Sequence, residues 1–297
     1  MPQPSTATPL LHHTVDGPET VGGPESADGP ESVAGPEGAP PLLLGPSLGA
    51  SLAVWDPQLS SLARHHRVIR WDLPGHGGTP VDVLGAGTDP TATVPGLARL
   101  LLQLADSLGI DRFACAGISL GGAVGAWLAA HHPERITSLA LISSSARFGE
   151  PAGWRERAAL VRETGLGAIA ESAPSRWFTP AFAGSPQATA LVDAVRRSVT
   201  PAGYAACCDA LAAYDLRAGL ARITAPTLVV AGLDDPATPP AHARELADGI
   251  AGARLLELPG AAHLLNVERP APVLAALLGH LAAGPAEKGG AGGPVEN

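Results

Sequence analysis

Six short apolar segments lie along the chain, each bounded by turn-forming residues. Their hydrophobicity is continuous and does not alternate with polar positions, which is typical of strands that are covered on both faces. The six segments are Pro41 to Gly45, Arg67 to Asp72, Phe113 to Ile118, Leu139 to Ser143, Pro226 to Gly232 and Arg254 to Leu258. We therefore predict six buried strands.

Helical patterns lie between these strands. Apolar residues recur at helical spacing from Leu97 to Leu108, and Gly109 follows as a natural C-terminal cap. The segments Gly122 to His131 and Pro272 to Leu281 have similar patterns. Strands that alternate with helices indicate an α/β fold with a mostly parallel central sheet flanked by helices.

The strand-helix alternation stops over residues 146–221, where Ala, Trp and Arg dominate and the apolar spacing is helical. This pattern predicts an inserted helical lid over the sheet edge. The core then comprises residues 41–145 and 222–282.

Two further segments carry too few apolar side chains to form a packed core. Within the N-terminal segment, residues 1–40, Gly-Pro-Glu begins at Gly17, Gly23, Gly29 and Gly35. A helix-breaking proline in each repeat favours a flexible, acidic insertion over a stacked repeat structure. The Gly- and Pro-rich tail, residues 283–297, is interpreted as flexible too.

Composition narrows the class of protein. Of the 297 residues, 45% are hydrophobic, which suffices for a substantial core, and the net charge of -9 with scattered Lys and Arg argues against a nucleic-acid partner. No run reaches the roughly 18 uninterrupted apolar residues that a membrane helix needs, and residues 1–11 lack the pattern of a secretory signal. Cys115, Cys207 and Cys208 make a poor disulfide framework, so we expect a cytoplasmic protein.

Ser119 is the candidate nucleophile. It lies at the centre of Gly117-Ile118-Ser119-Leu120-Gly121, directly after a predicted strand and before a predicted helix. A serine on such a strand-to-helix turn forms a nucleophile elbow, in which the flanking glycines permit close backbone approach. The motif alone is common in a Gly-rich chain, and its strand-turn-helix setting is what favours a catalytic serine.

A serine nucleophile needs a histidine base that a carboxylate orients, and in this type of fold the acid and the histidine follow the serine in that order. Asp234 and Asp235 follow one predicted strand, and His263 follows the last one. Carboxyl ends of parallel strands are where open α/β sheets place their sites. An Asp-Pro turn and a solvated loop histidine are the alternatives, but the order favours Ser119, Asp235 and His263, although spacing separates Asp235 from Asp234 only weakly.

The developing oxyanion of acyl transfer needs backbone N–H donors. Leu120 follows the nucleophile, and Leu48, in the loop after the first core strand, is the second predicted donor; Pro46 has no N–H to donate. His76 precedes Ser119 in the chain, and we interpret it as a structural loop residue.

No metal or cofactor is predicted. The adjacent pairs His12-His13, His65-His66 and His131-His132 lack the spacing of a zinc motif. The glycine runs carry neither a phosphate-binding lysine motif nor a dinucleotide fingerprint.

From about Pro41 to Ala282 the chain resembles the 3-oxoadipate enol-lactonases, α/β-hydrolases of aromatic compound degradation through the β-ketoadipate pathway, including that of protocatechuate. The most specific segments are Ser47-Leu48-Gly49 with Trp55-Asp56, Arg176 to Phe182, Gly203 to Cys208, and Asp235 to Pro240. One departure is Pro46, where this family usually has Asn, and it puts the geometry of that loop in question.

The resemblance implies that the substrate is a small anionic enol-lactone and that the product is 3-oxoadipate. Ser119 would then attack the lactone carbonyl while His263 takes its proton and Asp235 holds the imidazole. An anionic substrate on an acidic protein needs local donors, for which Trp154, Arg176 and Trp177 are candidates; equally, both Trp could be lid core and Arg176 solvated.

Fold and triad do not fix the substrate. A broad-specificity esterase, a perhydrolase or a carbon-carbon hydrolase therefore remains the alternative. The alternative from a different functional class is a ligand-binding receptor of hydrolase ancestry, in which hydrolysis is slow.

Overall fold

The computed structural model describes residues 10–17, 38–85 and 91–283. Within these residues seven strands form one sheet, in the order β1-β3-β2-β4-β5-β6-β7, and every pairing except β1 with β3 is parallel. The strands are β1 His13–Asp16, β2 Pro41–Gly45, β3 Arg67–Trp71, β4 Phe113–Ile118, β5 Ile136–Ile142, β6 Thr227–Gly232 and β7 Arg254–Leu258.

The six predicted strands are all present, and the predicted mostly parallel α/β sheet is confirmed. β4 lies in the middle of the sheet, and all six of its residues are buried, as its unbroken apolar sequence requires. The largest difference in bounds is in β5, which begins at Ile136, three residues before the predicted Leu139.

β1 is a strand that the hydrophobic pattern does not predict. Its sequence, His-Thr-Val-Asp, is mostly polar because β1 is an edge strand, and Val15 is exposed. Arg70 in β3 donates to the Asp16 carboxylate at 3.0 Å and ties this edge to the sheet. The predicted flexible repeat and tail fall outside the described residues, except at their ends.

Helices pack against the sheet. In the described residues they are α1 Asp56–Leu62, α2 Val94–Ser107, α3 Leu120–His131, α4 Pro151–Thr164, α5 Gly167–Trp177, α6 Pro186–Ser198, α7 Pro201–Ala213, α8 Pro240–Gly249, α9 Leu265–Glu268 and α10 Pro270–Ala282. The Thr93 side chain caps α2 by accepting from the Gly96 N–H at 3.1 Å. None of the helices in the described part of the chain is both long enough and apolar enough to cross a bilayer.

Helices α4 to α7 lie between β5 and β6 in the chain, and α4 packs against α7. Backbone hydrogen bonds join these inserted helices to the loop after β3. The Gly77 N–H donates to the Ser198 carbonyl, and the Thr200 N–H donates to the Gly75 carbonyl, both at 2.8 Å. The inserted helices are therefore anchored next to the carboxyl ends of the strands.

Candidate active site

Ser119 occupies a sharp turn between β4 and α3. Its φ of 54° and ψ of -114° lie in a region that residues with a side chain rarely adopt. Such strain is found where the surrounding structure fixes a residue for function. The surrounding contacts here include Ser144, whose hydroxyl donates to the Ser119 carbonyl at 2.8 Å.

The two glycines of the motif are required by close backbone contacts. A Cβ on Gly117 would overlap the carbonyl group of Gly121, and one on Gly121 would lie 2.5 Å from the carbonyl carbon of Gly45. The turn can thus form only because glycine lets α3 start directly against the ends of β4 and β2.

His263 and Asp235 meet at the carboxyl ends of β7 and β6. The Nδ1 atom of His263 lies 2.9 Å from Oδ2 of Asp235, and both side chains are buried. Asp234 is exposed, and its N–H donates to the Ala261 carbonyl at 3.0 Å. Of the two candidate aspartates, it is Asp235 that contacts the histidine.

Thr238 and the backbone hold the Asp235 carboxylate. Oδ1 accepts from the Ala237 and Thr238 N–H groups at 2.8 and 2.9 Å, and Oδ2 accepts from the Thr238 hydroxyl at 2.6 Å. Burial on its own raises the pKa of Asp235, but the neighbouring His263 charge and the hydrogen bonds from His263 and Thr238 outweigh it, so the pKa of Asp235 is lowered. The carboxylate therefore stays ionised beside the imidazole.

Glu268 links the histidine loop to the inserted helices. Its carboxylate accepts from the Ala262 N–H at 2.9 Å and from the Thr179 N–H at 3.2 Å, and it also contacts the Thr179 hydroxyl. The Leu264 N–H donates to the Trp177 carbonyl at 2.9 Å. The residues on both sides of His263 are thereby fixed against the end of α5 and the segment that follows it, and the sequence pattern does not reveal the part that Glu268 plays in this.

Both predicted oxyanion donors are near Ser119: Leu120 follows it in the elbow, and Leu48 lines the same cavity as Ser119. Within the described residues, neither the Leu48 N–H nor the Leu120 N–H donates to a protein acceptor, so both are available to a ligand. Proline at position 46 is compatible with this arrangement. The backbone contact at this position is made by the Pro46 carbonyl, which accepts from the Gly121 N–H at 3.0 Å, and proline keeps this carbonyl although it has no N–H.

A cavity of about 470 Å³ brings the predicted residues together. Ser119, Leu48 and His263 line it on the core side. On the side of the inserted helices it is lined by all three predicted substrate contacts and by two residues that the sequence analysis does not single out: Trp154, Arg157, Arg176, Trp177 and Tyr204.

Arg157 and Arg176 give this cavity a positive wall. The Arg157 guanidinium lies over the Trp154 ring at 4.8 Å, and the Trp154 indole N–H donates to the Phe148 carbonyl at 2.6 Å. Burial, followed by the nearby Arg157 charge, lowers the pKa of Arg176. Across the described part of the chain, no carboxylate forms an ion pair with either arginine.

Sequence reasoning could have found Arg157. It lies three residues after Trp154 in a helical segment, so the two side chains share one helix face. Trp177 is only 6% exposed, and it both lines the cavity and packs in the core.

The fold and the site together define the class of protein. The mostly parallel sheet carries a strained serine at a strand-to-helix turn, and a histidine-aspartate pair lies at the ends of later strands. The chain belongs to the α/β-hydrolase fold family, whose model matches residues 40–270, and the protein is a hydrolase. The prediction of that fold is confirmed.

The names of similar proteins indicate narrower groups than the fold family does. The chain is 38% identical to 3-oxoadipate enol-lactonase 2 of Acinetobacter baylyi, over 78% of this chain and 84% of the relative. The structure is also similar to the crystal structure of the enol-lactonase from Burkholderia xenovorans LB400, with a TM-score of 0.79 and 36% sequence identity. The match covers 92% of this chain and 96% of that chain. A candidate carbamate hydrolase, RutD, of Variovorax paradoxus is 34% identical over 81% of this chain and 91% of the relative. The predicted resemblance to the enol-lactonases is confirmed.

Proposed function

We propose that this protein hydrolyses 3-oxoadipate enol-lactone to 3-oxoadipate through an acyl-enzyme on Ser119. The observation that carries the proposal is the pair of arginines without carboxylate partners in the cavity that holds Ser119 and His263. An ester-cleaving site beside two positive charges suits a small lactone that bears a carboxylate.

The proposed chemistry has two halves. In the first, Ser119 Oγ attacks the lactone carbonyl and its proton passes to His263, while the N–H groups of Leu48 and Leu120 stabilise the oxyanion. The acyl-oxygen bond then breaks, and the group that leaves is an enolate, which takes the proton from His263 to give the enol and tautomerises to the ketone. In the second half, His263 removes a proton from water, which attacks the acyl group and releases Ser119. Asp235 stabilises the charged imidazole in both halves.

In the proposed complex the substrate carboxylate lies between Arg157 and Arg176. Guanidinium groups suit this role because their planar donors match the geometry of a carboxylate. Glu150 also lines the cavity, but Arg147 pairs with it at 2.9 Å, which offsets its charge. In this proposal residues 146–221 act as the lid that carries the anion-binding arginines.

The similar proteins support the lactone as the substrate, since two of the three described above are enol-lactonases. The test is the loss of enol-lactone ultraviolet absorbance when the purified protein is added to lactone that an upstream enzyme generates in the same cuvette. We expect rapid loss of absorbance, with much slower hydrolysis of a neutral aryl ester and of an aryl carbamate. Protein that cleaves either neutral substrate but leaves the enol-lactone untouched would contradict the proposed substrate.

Replacing Arg157 or Arg176 with Met is expected to raise KM for the enol-lactone. A hydrogen bond to a charged group is worth about 2 kcal/mol, which corresponds to roughly thirtyfold in kcat/KM for each arginine. Hydrolysis of a neutral aryl ester should change little, because that substrate has no carboxylate to bind. Steady-state kinetics with both substrates measure the difference.

Arg155→Met is the matched control, since Arg155 lies in the same helix and is exposed. It removes the same charge from the protein and should leave KM for the lactone unchanged. Equal losses with the lactone and the neutral ester in the Arg157 and Arg176 variants would indicate a damaged fold and would count against an anion site.

A further inference from the structure

His76 is a fully buried histidine, and both of its ring nitrogens have hydrogen-bond partners. One partner lies in the loop after β2 that carries Leu48. Nε2 accepts from the Gly49 N–H at 3.1 Å, and Nδ1 lies 2.9 Å from the Pro74 carbonyl oxygen. A carbonyl can only accept, so Nδ1 carries the proton and Nε2 is the acceptor. Burial lowers the pKa of His76 to about 4, which keeps this neutral form in place at neutral pH.

The partner of Nε2 belongs to a tight turn that includes Leu48. The Ala50 N–H donates to the Ser47 carbonyl at 3.0 Å, and Gly49 has a φ of 85°. These features are those of a type II turn with Leu48 and Gly49 at its centre. Because glycine also tolerates a negative φ, the peptide between Leu48 and Gly49 could flip to the type I form if nothing held its N–H.

The loop that carries His76 is itself rigidly held. Its neighbours Gly75 and Gly77 hydrogen-bond to Thr200 and Ser198 of the inserted helices, and the His76 ring stacks against Tyr204 at 6.3 Å. Tyr204 lines the cavity as well. His76 thus connects the turn that carries Leu48 to the wall of the cavity that the inserted helices form.

We propose that His76 is a positioning residue for the oxyanion hole: by accepting the Gly49 N–H, it holds the Leu48–Gly49 peptide in its type II orientation and so fixes in place the turn whose preceding peptide carries the Leu48 N–H to the reacting carbonyl oxygen. This inference rests on the proposed function, since it takes Leu48 as an oxyanion donor. His76 then acts on the reaction through its hydrogen bond to the turn and is more than the structural loop residue that the sequence predicts.

Two substitutions separate this role from a purely structural one. In His76→Asn the amide nitrogen reaches the place of Nδ1 and can still donate to the Pro74 carbonyl, but nothing replaces Nε2. In His76→Gln the longer side chain brings its amide oxygen to the place of Nε2, where it can accept from the Gly49 N–H. His65→Asn, at an exposed histidine, is the control.

The readout is the rate at which a fluorophosphonate labels Ser119, because the phosphoryl oxygen of that probe uses the oxyanion hole and no knowledge of the substrate is needed. A small misplacement in a reactive geometry can cost about a hundredfold. We expect His76→Asn to lower the labelling rate and kcat by about that factor with little change in KM. His76→Gln should recover most of the rate, and His65→Asn should match the wild type.

Thermal unfolding of each variant separates loss of fold from loss of rate. Labelling of folded His76→Asn at the wild-type rate would overturn the positioning role and leave the proposed function intact. The same holds if Asn and Gln lower the rate equally while both remain folded. Wild-type protein that the probe does not label at all would overturn the positioning role together with the serine mechanism.

Discussion

Ser119→Ala is expected to lower turnover of the enol-lactone by about a millionfold, the loss found when the nucleophile of a catalytic triad is removed. No covalent intermediate can form without the hydroxyl. The neighbouring Ser144 cannot replace it, because its hydroxyl already donates to the Ser119 carbonyl at 2.8 Å. Residual hydrolysis would come from water in a site whose oxyanion donors remain. Single-turnover loss of lactone absorbance measures such a low rate.

Ser143→Ala is the matched control for Ser119→Ala. Ser143 is also a buried serine at a strand end with a positive φ, 43°, so its replacement tests the effect of alanine in a strained turn. It should retain turnover close to that of the wild type. His263→Ala should cost about as much as Ser119→Ala, and the double variant should lose no more than either single one, because the two residues act as a unit. Unaltered activity in Ser119→Ala would refute the mechanism.

The sequence predicts the parts of the fold in which burial and hydrophobicity coincide. β4 is apolar throughout and buried on both faces, so its pattern was sufficient. The pattern does not predict β1, because this polar edge strand is stabilised by its pairing with β3 and by the contact between Asp16 and Arg70, and neither appears in the local sequence. Ser119 and His263 both follow the carboxyl ends of strands, and the parallel topology places these ends on the same side of the sheet.

Residues whose roles depend on distant partners could not be predicted in the same way. Glu268 contacts Thr179 across 89 residues of sequence, and His76 contacts Gly49 across 27. Arg157 acquires its place through the packing of α4 against α7. Local patterns identify the groups that react, whereas the groups that orient them appear only when the chain is folded.

Asp235→Asn is expected to lower kcat by about ten thousandfold, the effect of the same change in another serine hydrolase triad. Two backbone N–H groups, of Ala237 and Thr238, donate to Oδ1 and would hold the amide oxygen of the new side chain in that position. The amide nitrogen must then take the place of Oδ2, 2.9 Å from Nδ1 of His263. An N–H at this point forces Nδ1 to be the unprotonated nitrogen, so Nε2 carries the proton and cannot accept one from Ser119.

Asp234→Asn separates this effect from a general loss of charge. It removes one carboxylate from the adjacent position, but Asp234 is exposed, and its contact in the turn is made by its backbone N–H, which Asn also supplies. We expect its kcat to match the wild type, measured by the same absorbance assay. A large loss in Asp234→Asn with normal turnover in Asp235→Asn would assign the triad acid to Asp234. Losses in neither variant would mean that His263 keeps its reactive tautomer without a carboxylate, since the Thr238 hydroxyl lies 3.2 Å from Nδ1.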